Sequence, residues 1–274
     1  MTITTYPEIE QGTDEWHDQR RGIPTASVIG QLITAGAPPA SAVGCPTCQA
    51  DPGDPCLSLA RKIPAPIKTF HDDRAFAASV LPPVYRVADN DTSRGLTLRL
   101  AAERITGFTE ETPTSRDMER GHMDEPYARE AYSVNYAEVT ETGFMVRDDW
   151  GYRIGYSPDG LVGDDGLIEI KSRLQKNHLQ TILADEVPAG NMAQLQTGLL
   201  VSGRAWCDYV SYCGGMPLWT KRVEPDEQWF NAILDATGQL EGRLATILQT
   251  YEAAVEGRPA TERIDHYQGA EFTF

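Results

Sequence analysis

The stretch Ser157-Pro158-Asp159-Gly160, followed by Leu161-Val162, Asp165-Gly166 and Leu167-Ile168-Glu169-Ile170-Lys171, reads as a β-hairpin with its chemistry on one face. Asp165-Gly166 is a hairpin-turn signal. Asp159 closes the first strand. Glu169 and Lys171 stand two apart on the second and share a face, while Ile168 and Ile170 point the other way, into a core. The turn brings Asp159 beside Glu169. Two carboxylates on adjacent strands make a hard oxygen site that suits Mg²⁺. A metal there can activate water and neutralise a pentacovalent phosphate. A lysine two residues from the second carboxylate can hold or deprotonate the attacking water, or stabilise charge on the phosphoryl oxygens. The same letters also fit an ordinary Asp-Gly turn and a solvated strand face with cross-strand pairs. The flanking segments must therefore decide between the two.

Upstream, Ser115 to Tyr136 is expected to form a helix carrying Gly121-His122-Met123-Asp124-Glu125, and Glu125 can reach the sheet as a third carboxylate. The alternative is an exposed helix acid. Glu138–Arg147 and Tyr152–Tyr156 read as strands. Downstream, Pro188–Ser202 reads as a buried helix through Met192, Leu195, Leu199 and Leu200. Its Gln194 and Gln196 need polar partners in that setting, and a core hydrogen bond would satisfy either. Ala205–Cys213 and Leu218–Val223 read as a second strand pair. Glu224–Ala254 reads as a long amphipathic helix with Pro225 near its first turn. At the other end, Gly12–Ile33 reads as two short helices. Thr13 and Asp14 suit the first N-cap, Trp16 and Arg20 share a face, and Thr25 suits the second cap. Lys68–Ser79 and Gly95–Ile105 are further helical stretches. Helices, strands, a helix, strands and a helix in this order predict an α/β or α+β domain with a mixed central sheet flanked by helices.

With these segments placed, the chain resembles the lambda exonuclease and YqaJ-type viral recombinase family. The pieces that carry the resemblance are Glu10-Gln11-Gly12-Thr13-Asp14-Glu15-Trp16-His17 with Arg20, Gly22 and Thr25-Ala26-Ser27; Gly121–Glu125; Ser157–Gly160; Glu169-x-Lys171; and Met192-Ala193-Gln194-Leu195-Gln196. They occur in the family's order, with the family's spacing from Asp159 to Glu169, and span Glu10 to Val223 apart from one insert.

The resemblance implies a restriction-endonuclease-like PD-(D/E)xK core. It also implies a Mg²⁺-dependent (or Mn²⁺-dependent) 5′→3′ exonuclease acting on double-stranded DNA ends. On that basis Asp159 and Glu169 match the metal ligands, Glu125 the helix carboxylate near the metal, and Lys171 the catalytic lysine. Gln194 and Gln196 both match the active-site glutamine motif. Arg20, Thr25 and Ser27 match the pocket for the 5′-phosphate of the strand being cut, and Ser157 contacts the same phosphates. Arg20 suits that role because a guanidinium can grip a phosphate bidentately. A helix salt bridge to Asp14 or Glu15 is its alternative fate, and Trp16 is expected to anchor its helix in the core. The resemblance further implies a toroidal homotrimer around DNA, a single-strand annealing protein as partner, and a phage or prophage origin in a bacterial cytoplasm.

The insert departs from the family. Cys45-Pro46-Thr47-Cys48, Cys56 and His71 have the spacing C-x2-C, seven residues, C, fourteen residues, H. Three thiolates and one imidazole make a closed tetrahedral Zn²⁺ site of the structural type, and Pro52-Gly53-Asp54-Pro55 supplies a tight turn. Residues 44–74 are thus expected to form a zinc-knuckle-like insert within one nuclease domain spanning 1–274, with 224–274 as an acidic helix and tail. A CxxC redox pair would want a thioredoxin-like βαβ setting, which is not evident. Arg61, Lys62, Lys68 and Arg74 flank the insert, which could grip DNA, dock a partner or be purely structural. Cys207 and Cys213 read as buried free thiols.

Length and charge set the outer bounds. The 274 residues are 41% hydrophobic and 23% charged, enough for a sizeable core. No apolar run is long enough to span a membrane, the first residues do not read as a secretory signal, and five cysteines without a disulfide pattern point to a reducing cytoplasm. With 24 Lys/Arg against 40 Asp/Glu the net charge is −16, which argues against a non-specific polyanion binder. The charge is uneven. Arg61–Arg104 holds eight bases and five acids, whereas Glu224–Phe274 holds three bases and ten acids. The competing readings are another PD-(D/E)xK nuclease, either an endonuclease or a defence exonuclease, and a zinc-dependent DNA- or protein-binding module with an inactive nuclease core.

Overall fold

In the computed structural model, which describes residues 2–60, 63–110 and 115–264, the chain begins with strand β1 (Ile3–Tyr6) and helix α1 (Asp14–Arg20). Thr13 caps α1 by accepting from the Trp16 amide at 3.4 Å. Helix α2 (Ala26–Ile29) continues as a 3-10 turn at Gly30–Leu32 and leads into β2 (Ile33–Gly36). Thr25 stands at the N-cap of α2, but its side chain makes no capping bond there and is used by Arg20 instead. After the cysteine insert come α3 (Asp72–Ser79) and β3 (Val84–Val87), which pairs antiparallel with β2. Helix α4 (Asp91–Thr106) starts four residues before the expected Gly95, at a reciprocal Asn90–Ser93 capping box. Helix α5 (Arg116–Asn135) is capped by Ser115.

Strand β4 (Phe144–Arg147) lies between β1 and β5 (Ile154–Tyr156) in an antiparallel three-stranded sheet. It is shorter than the expected Glu138–Arg147, of which Thr140 makes only an isolated bridge to Leu161. The decisive hairpin forms from β6 (Gly160–Val162) and β7 (Gly166–Ser172). Val162 pairs with Gly166, so the connection is Gly163–Asp165 and Gly166 already belongs to the strand. Gly163 has φ +52°, a conformation that glycine takes without strain. Helices α6 (Gln175–Ala184) and α7 (Ala189–Ser202) then carry the chain across to β8 (Trp206–Tyr212), which runs parallel to β7. Strand β9 (Trp219–Val223) pairs antiparallel with β8, and α8 (Glu227–Val255) follows, capped by Asp226. The central sheet is therefore mixed, in the order β6-β7-β8-β9.

Alternation along β7 divides the molecule. Leu167 faces the larger core, with Leu195, Leu199, Ile233 and Leu240 of α7 and α8. Ile168 and Ile170 face a second core, with Ala128 and Tyr132 of α5 and Val210 of β8. Glu169 lies on the Leu167 side, where α7 and β5 leave a cavity instead of packing. Among the described residues, no helix is long and apolar enough to cross a membrane.

Candidate metal and nucleic-acid site

The pairing of Gly160 with Ile168 places Asp159 one step further along, across from Glu169. Oδ2 of Asp159 accepts from the Ile170 amide at 2.6 Å, and its carbonyl accepts from Arg129 Nε at 2.9 Å. Glu169 is fully buried. Its Oε1 accepts from Lys171 Nζ at 2.7 Å and from Gln194 Nε2 at 2.5 Å, and its Oε2 accepts from the Tyr156 hydroxyl at 3.3 Å. Glu125 of α5 pairs with Arg129 at 2.5 Å and faces the same cavity.

The electrostatics follow from this crowding. Burial, then the Glu169 charge, hold the Asp159 carboxyl well above its ordinary value. Burial raises Glu125 as well, with Glu169 adding to it and Arg129 opposing. Burial opposes the charge on Lys171, but Glu169 and Asp159 outweigh it and raise its pKa. Clustered carboxylate oxygens are the kind of donor that a hard cation takes. Asp159, Glu169 and Glu125 line the same cavity and offer such oxygen donors, although among the described residues only the Cys/His group brings its ligand atoms within 4.8 Å of one another.

The cavity, about 550 Å³, extends from these groups to the N-terminal helices. Arg20, Thr25, Ser27 and Ser157 also line it. Nη2 of Arg20 donates to Thr25 Oγ1 at 3.3 Å and Ser27 Oγ at 3.4 Å, and its guanidinium stacks 3.8 Å from the centre of the Trp16 ring. Among the described residues, neither Asp14 nor Glu15 forms the alternative salt bridge with Arg20. Burial lowers the Arg20 pKa to about 10. Trp16 does more than anchor α1. It packs against the Ile23–Phe144–Val146 cluster, as expected, but its indole N–H also donates to Ser157 Oγ at 2.8 Å and its ring carries Arg20.

The two glutamines part company. Gln194 reaches Glu169. Gln196 is buried away from the cavity, donating to the Glu224 carbonyl at 2.8 Å and accepting from the Asp226 amide at 2.9 Å, so it ties α7 to the start of α8. Several site neighbours escape sequence reasoning. Tyr156 lies inside a short buried strand, and Arg129 lies one turn past Glu125. Asp124 accepts from Ser172 Oγ at 2.6 Å, and Ser172 in turn accepts from Arg120 Nε at 3.0 Å. For Arg129 an i, i+4 pairing with Glu125 was the available signal.

The insert builds a separate site. The ligand atoms of Cys45, Cys48, Cys56 and His71 all lie within 4.8 Å of one another. Nδ1 of His71 is 3.3 Å from Cys45 Sγ. Arg74 is fully buried behind them, donating to the carbonyls of Ala40, Val43, Asp51 and Asp54 at 2.8–2.9 Å. Burial resists ionisation of Cys56, but the Arg74 and His71 hydrogen bonds and the neighbouring thiols bring it down to about 6. A thiol poised to ionise in a Cys₃His cluster fits a tetrahedral zinc ion. Arg61 and Lys62, two of the flanking cations, lie outside the described residues. Cys207 and Cys213 are buried free thiols.

Fold and site together define a restriction-endonuclease-like α+β domain with a carboxylate–lysine centre and a Cys₃His insert. Residues 78–205 match the family model of the YqaJ-like viral recombinase domain, the family that the motifs resemble. This segment contains Glu125, Asp159, Glu169, Lys171 and both glutamines. Residues 11–90 match a second model, described as "Putative DNA-binding phage zinc finger domain", which contains Arg20 and all four Cys/His ligands. Among solved structures, the chain is similar to an alkaline exonuclease, LHK-Exo, from Laribacter hongkongensis. The identity is 25%, 89% of this chain and 98% of that chain are covered, and the TM-score is 0.62. The same exonuclease in complex with dAMP matches at 25% identity and equal coverage, with a TM-score of 0.63. No curated protein matches.

Proposed function

We propose that this chain is a metal-dependent deoxyribonuclease that digests double-stranded DNA from 5′ ends in the 5′→3′ direction, leaving 3′ single strands for recombination by annealing. The observation that carries the reading is that one cavity holds both the Asp159–Glu169–Lys171 centre and the Arg20–Thr25–Ser27 cluster. A nuclease that cuts at an end needs these two groups within a nucleotide's reach of each other. The recombinase domain match and the similarity to an alkaline exonuclease support a nuclease, and the solved complex with dAMP accords with a mononucleotide product.

Asp159 and Glu169, with Glu125 alongside, would hold Mg²⁺ or Mn²⁺, which supplies an acidified water and neutralises phosphate charge. Arg20 takes the terminal 5′-phosphate, with the hydroxyls of Thr25, Ser27 and Ser157 completing the grip. Lys171 orients the attacking water and meets the charge that builds on the phosphoryl oxygens. Gln194 and Tyr156 fix the Glu169 carboxylate, so that its geometry does not depend on solvent. Cys45, Cys48, Cys56 and His71 would hold a structural Zn²⁺ that lets the insert fold without a core of its own. The acidic total suits an assembly with an acidic outer wall and a more basic channel. A homotrimeric ring working with an annealing protein in a bacterial cytoplasm is the form we favour.

The test is digestion of linear duplex DNA by pure protein, with and without Mg²⁺, on 5′-phosphorylated and 5′-hydroxyl ends. The reading expects Mg²⁺-dependent mononucleotide release, faster from phosphorylated ends. Cutting of closed circles would instead indicate an endonuclease. DNA binding without any digestion would indicate an inactive core.

A further inference from the structure

Arg20 is the last residue of α1, and the backbone immediately after it is held by two adjacent side chains of α4. The Gly22 amide donates to Glu103 Oε2 at 2.7 Å, and the Gly22 carbonyl accepts from Arg104 Nε at 2.7 Å. Both polar groups of one peptide unit's glycine are thus fixed from a single helix turn. Arg104 is itself immobilised: its two terminal nitrogens donate to the two carboxylate oxygens of Glu241 on α8, at 2.6 and 2.8 Å. Gly22 has φ +67°, and a Cβ there would stand 2.6 Å from Arg104 Cγ, so the approach is as close as a glycine permits. Glu103 is buried, and its charge favours the cationic form of Arg20. From Gly22 onward the chain is pinned again, by Ile23 in the Phe144–Val146 cluster and by the Gly155 amide donating to the Pro24 carbonyl at 3.0 Å.

This arrangement fixes one end of the segment that aims Arg20, while Trp16 fixes the guanidinium's other face. We propose that Glu103 and Arg104, braced by Glu241, are positioning residues that set the orientation of Arg20 and with it the preference for phosphorylated 5′ ends. The second half of that statement rests on the phosphate-pocket reading above; the first half does not. An arginine aimed from a fixed backbone loses binding energy steeply when it swings away, and a displacement near 1 Å is enough to cost orders of magnitude in a positioned reaction.

The experiment compares wild type, Arg104→Met, Glu241→Gln and Arg20→Ala. Two quantities are read on each: the ratio of digestion rates on 5′-phosphorylated and 5′-hydroxyl duplex, and the indole N–H resonance of Trp16, assigned by its loss in Trp16→Phe. Arg104→Met should lower the rate ratio about tenfold and move the Trp16 resonance toward its place in Arg20→Ala, with Glu241→Gln doing so in part. Digestion from 5′-hydroxyl ends should stay within a small factor. If the ratio is lost in Arg20→Ala but kept in Arg104→Met, with the Trp16 resonance unmoved, the positioning role is overturned and the phosphate pocket stands. If wild type shows no ratio to lose, the phosphate pocket fails, and the Trp16 resonance alone decides whether Arg104 positions Arg20. Thermal unfolding of each variant separates these outcomes from simple loss of fold.

Discussion

Glu169 and Lys171 stand two residues apart on β7, and the lysine ammonium donates to the glutamate across that gap at 2.7 Å. The contact exists because alternate residues of a strand share a face and because the carboxylate is fully buried there. A buried carboxylate without a cation would be costly. Lys171→Ala is therefore expected to abolish digestion, by 10²-fold or more, while leaving duplex binding measurable by filter retention. Digestion at the wild-type rate would remove Lys171 from the chemistry.

Gly198 gives a test one layer further out. A Cβ at this position would meet the Tyr156 ring at 2.7 Å, and Tyr156 is the residue that holds Oε2 of Glu169. Gly198→Ala should lower stability by about 1–3 kcal/mol through overpacking. It should also reduce digestion by displacing Glu169. Denaturant unfolding and the digestion rate measured together would show the coupled loss; an unchanged rate would mean that Tyr156 does not set the Glu169 geometry.

The insert should carry zinc at about one ion per chain, measured by elemental analysis of protein purified without added metal. Cys48→Ser and Cys56→Ser should each lose most of it. Arg74→Met should also loosen the metal, although Arg74 is not a ligand, because its four carbonyl contacts shape the loop. Full zinc content in all three variants would contradict the Cys₃His assignment.

Asp149 offers a pH test away from the cavity. Its carboxylate accepts from the Thr2 amide at 2.6 Å and from Arg147 Nε at 2.7 Å, and these bonds, in that order, lower its pKa. A carboxyl depressed in the folded state adds stability above its unfolded pKa of about 3.9, and that stability is lost as pH falls through the folded value. Asp149→Asn should therefore lower the melting temperature at pH 7, and by progressively less as the pH falls below about 3.9. An effect that does not shrink as the pH is lowered would show that its charge is not what ties β1 to β4.

Much of this architecture is legible in the sequence. The hairpin that brings Asp159 to Glu169, the burial of Ile168 and Ile170 behind it, and helices α5, α7 and α8 all follow from periodicity, turn residues and caps. The cysteine spacing announced its own cluster. Other parts carried too little local signal. Strands β1, β2 and β3 are four residues each and half exposed, so they show no alternation to read. Helix α6 buries His178, which bonds Ser211 and the Pro217 carbonyl, a partnership made wholly across the fold.

The sequence by itself determined which chemical groups this protein possesses and in what order: carboxylates and lysine on one strand face, three thiols and an imidazole at knuckle spacing, an arginine after a tryptophan. Only the tertiary structure decided which of them meet. Gln194 and Gln196 are two letters apart on one helix, and a turn of about 200° sends one to Glu169 and the other to the start of α8. Arg20 lies more than a hundred residues from Asp159, yet both line one cavity. Local spacing fixes the face a side chain takes on its own element. What stands opposite that face is set by packing between elements distant in the chain.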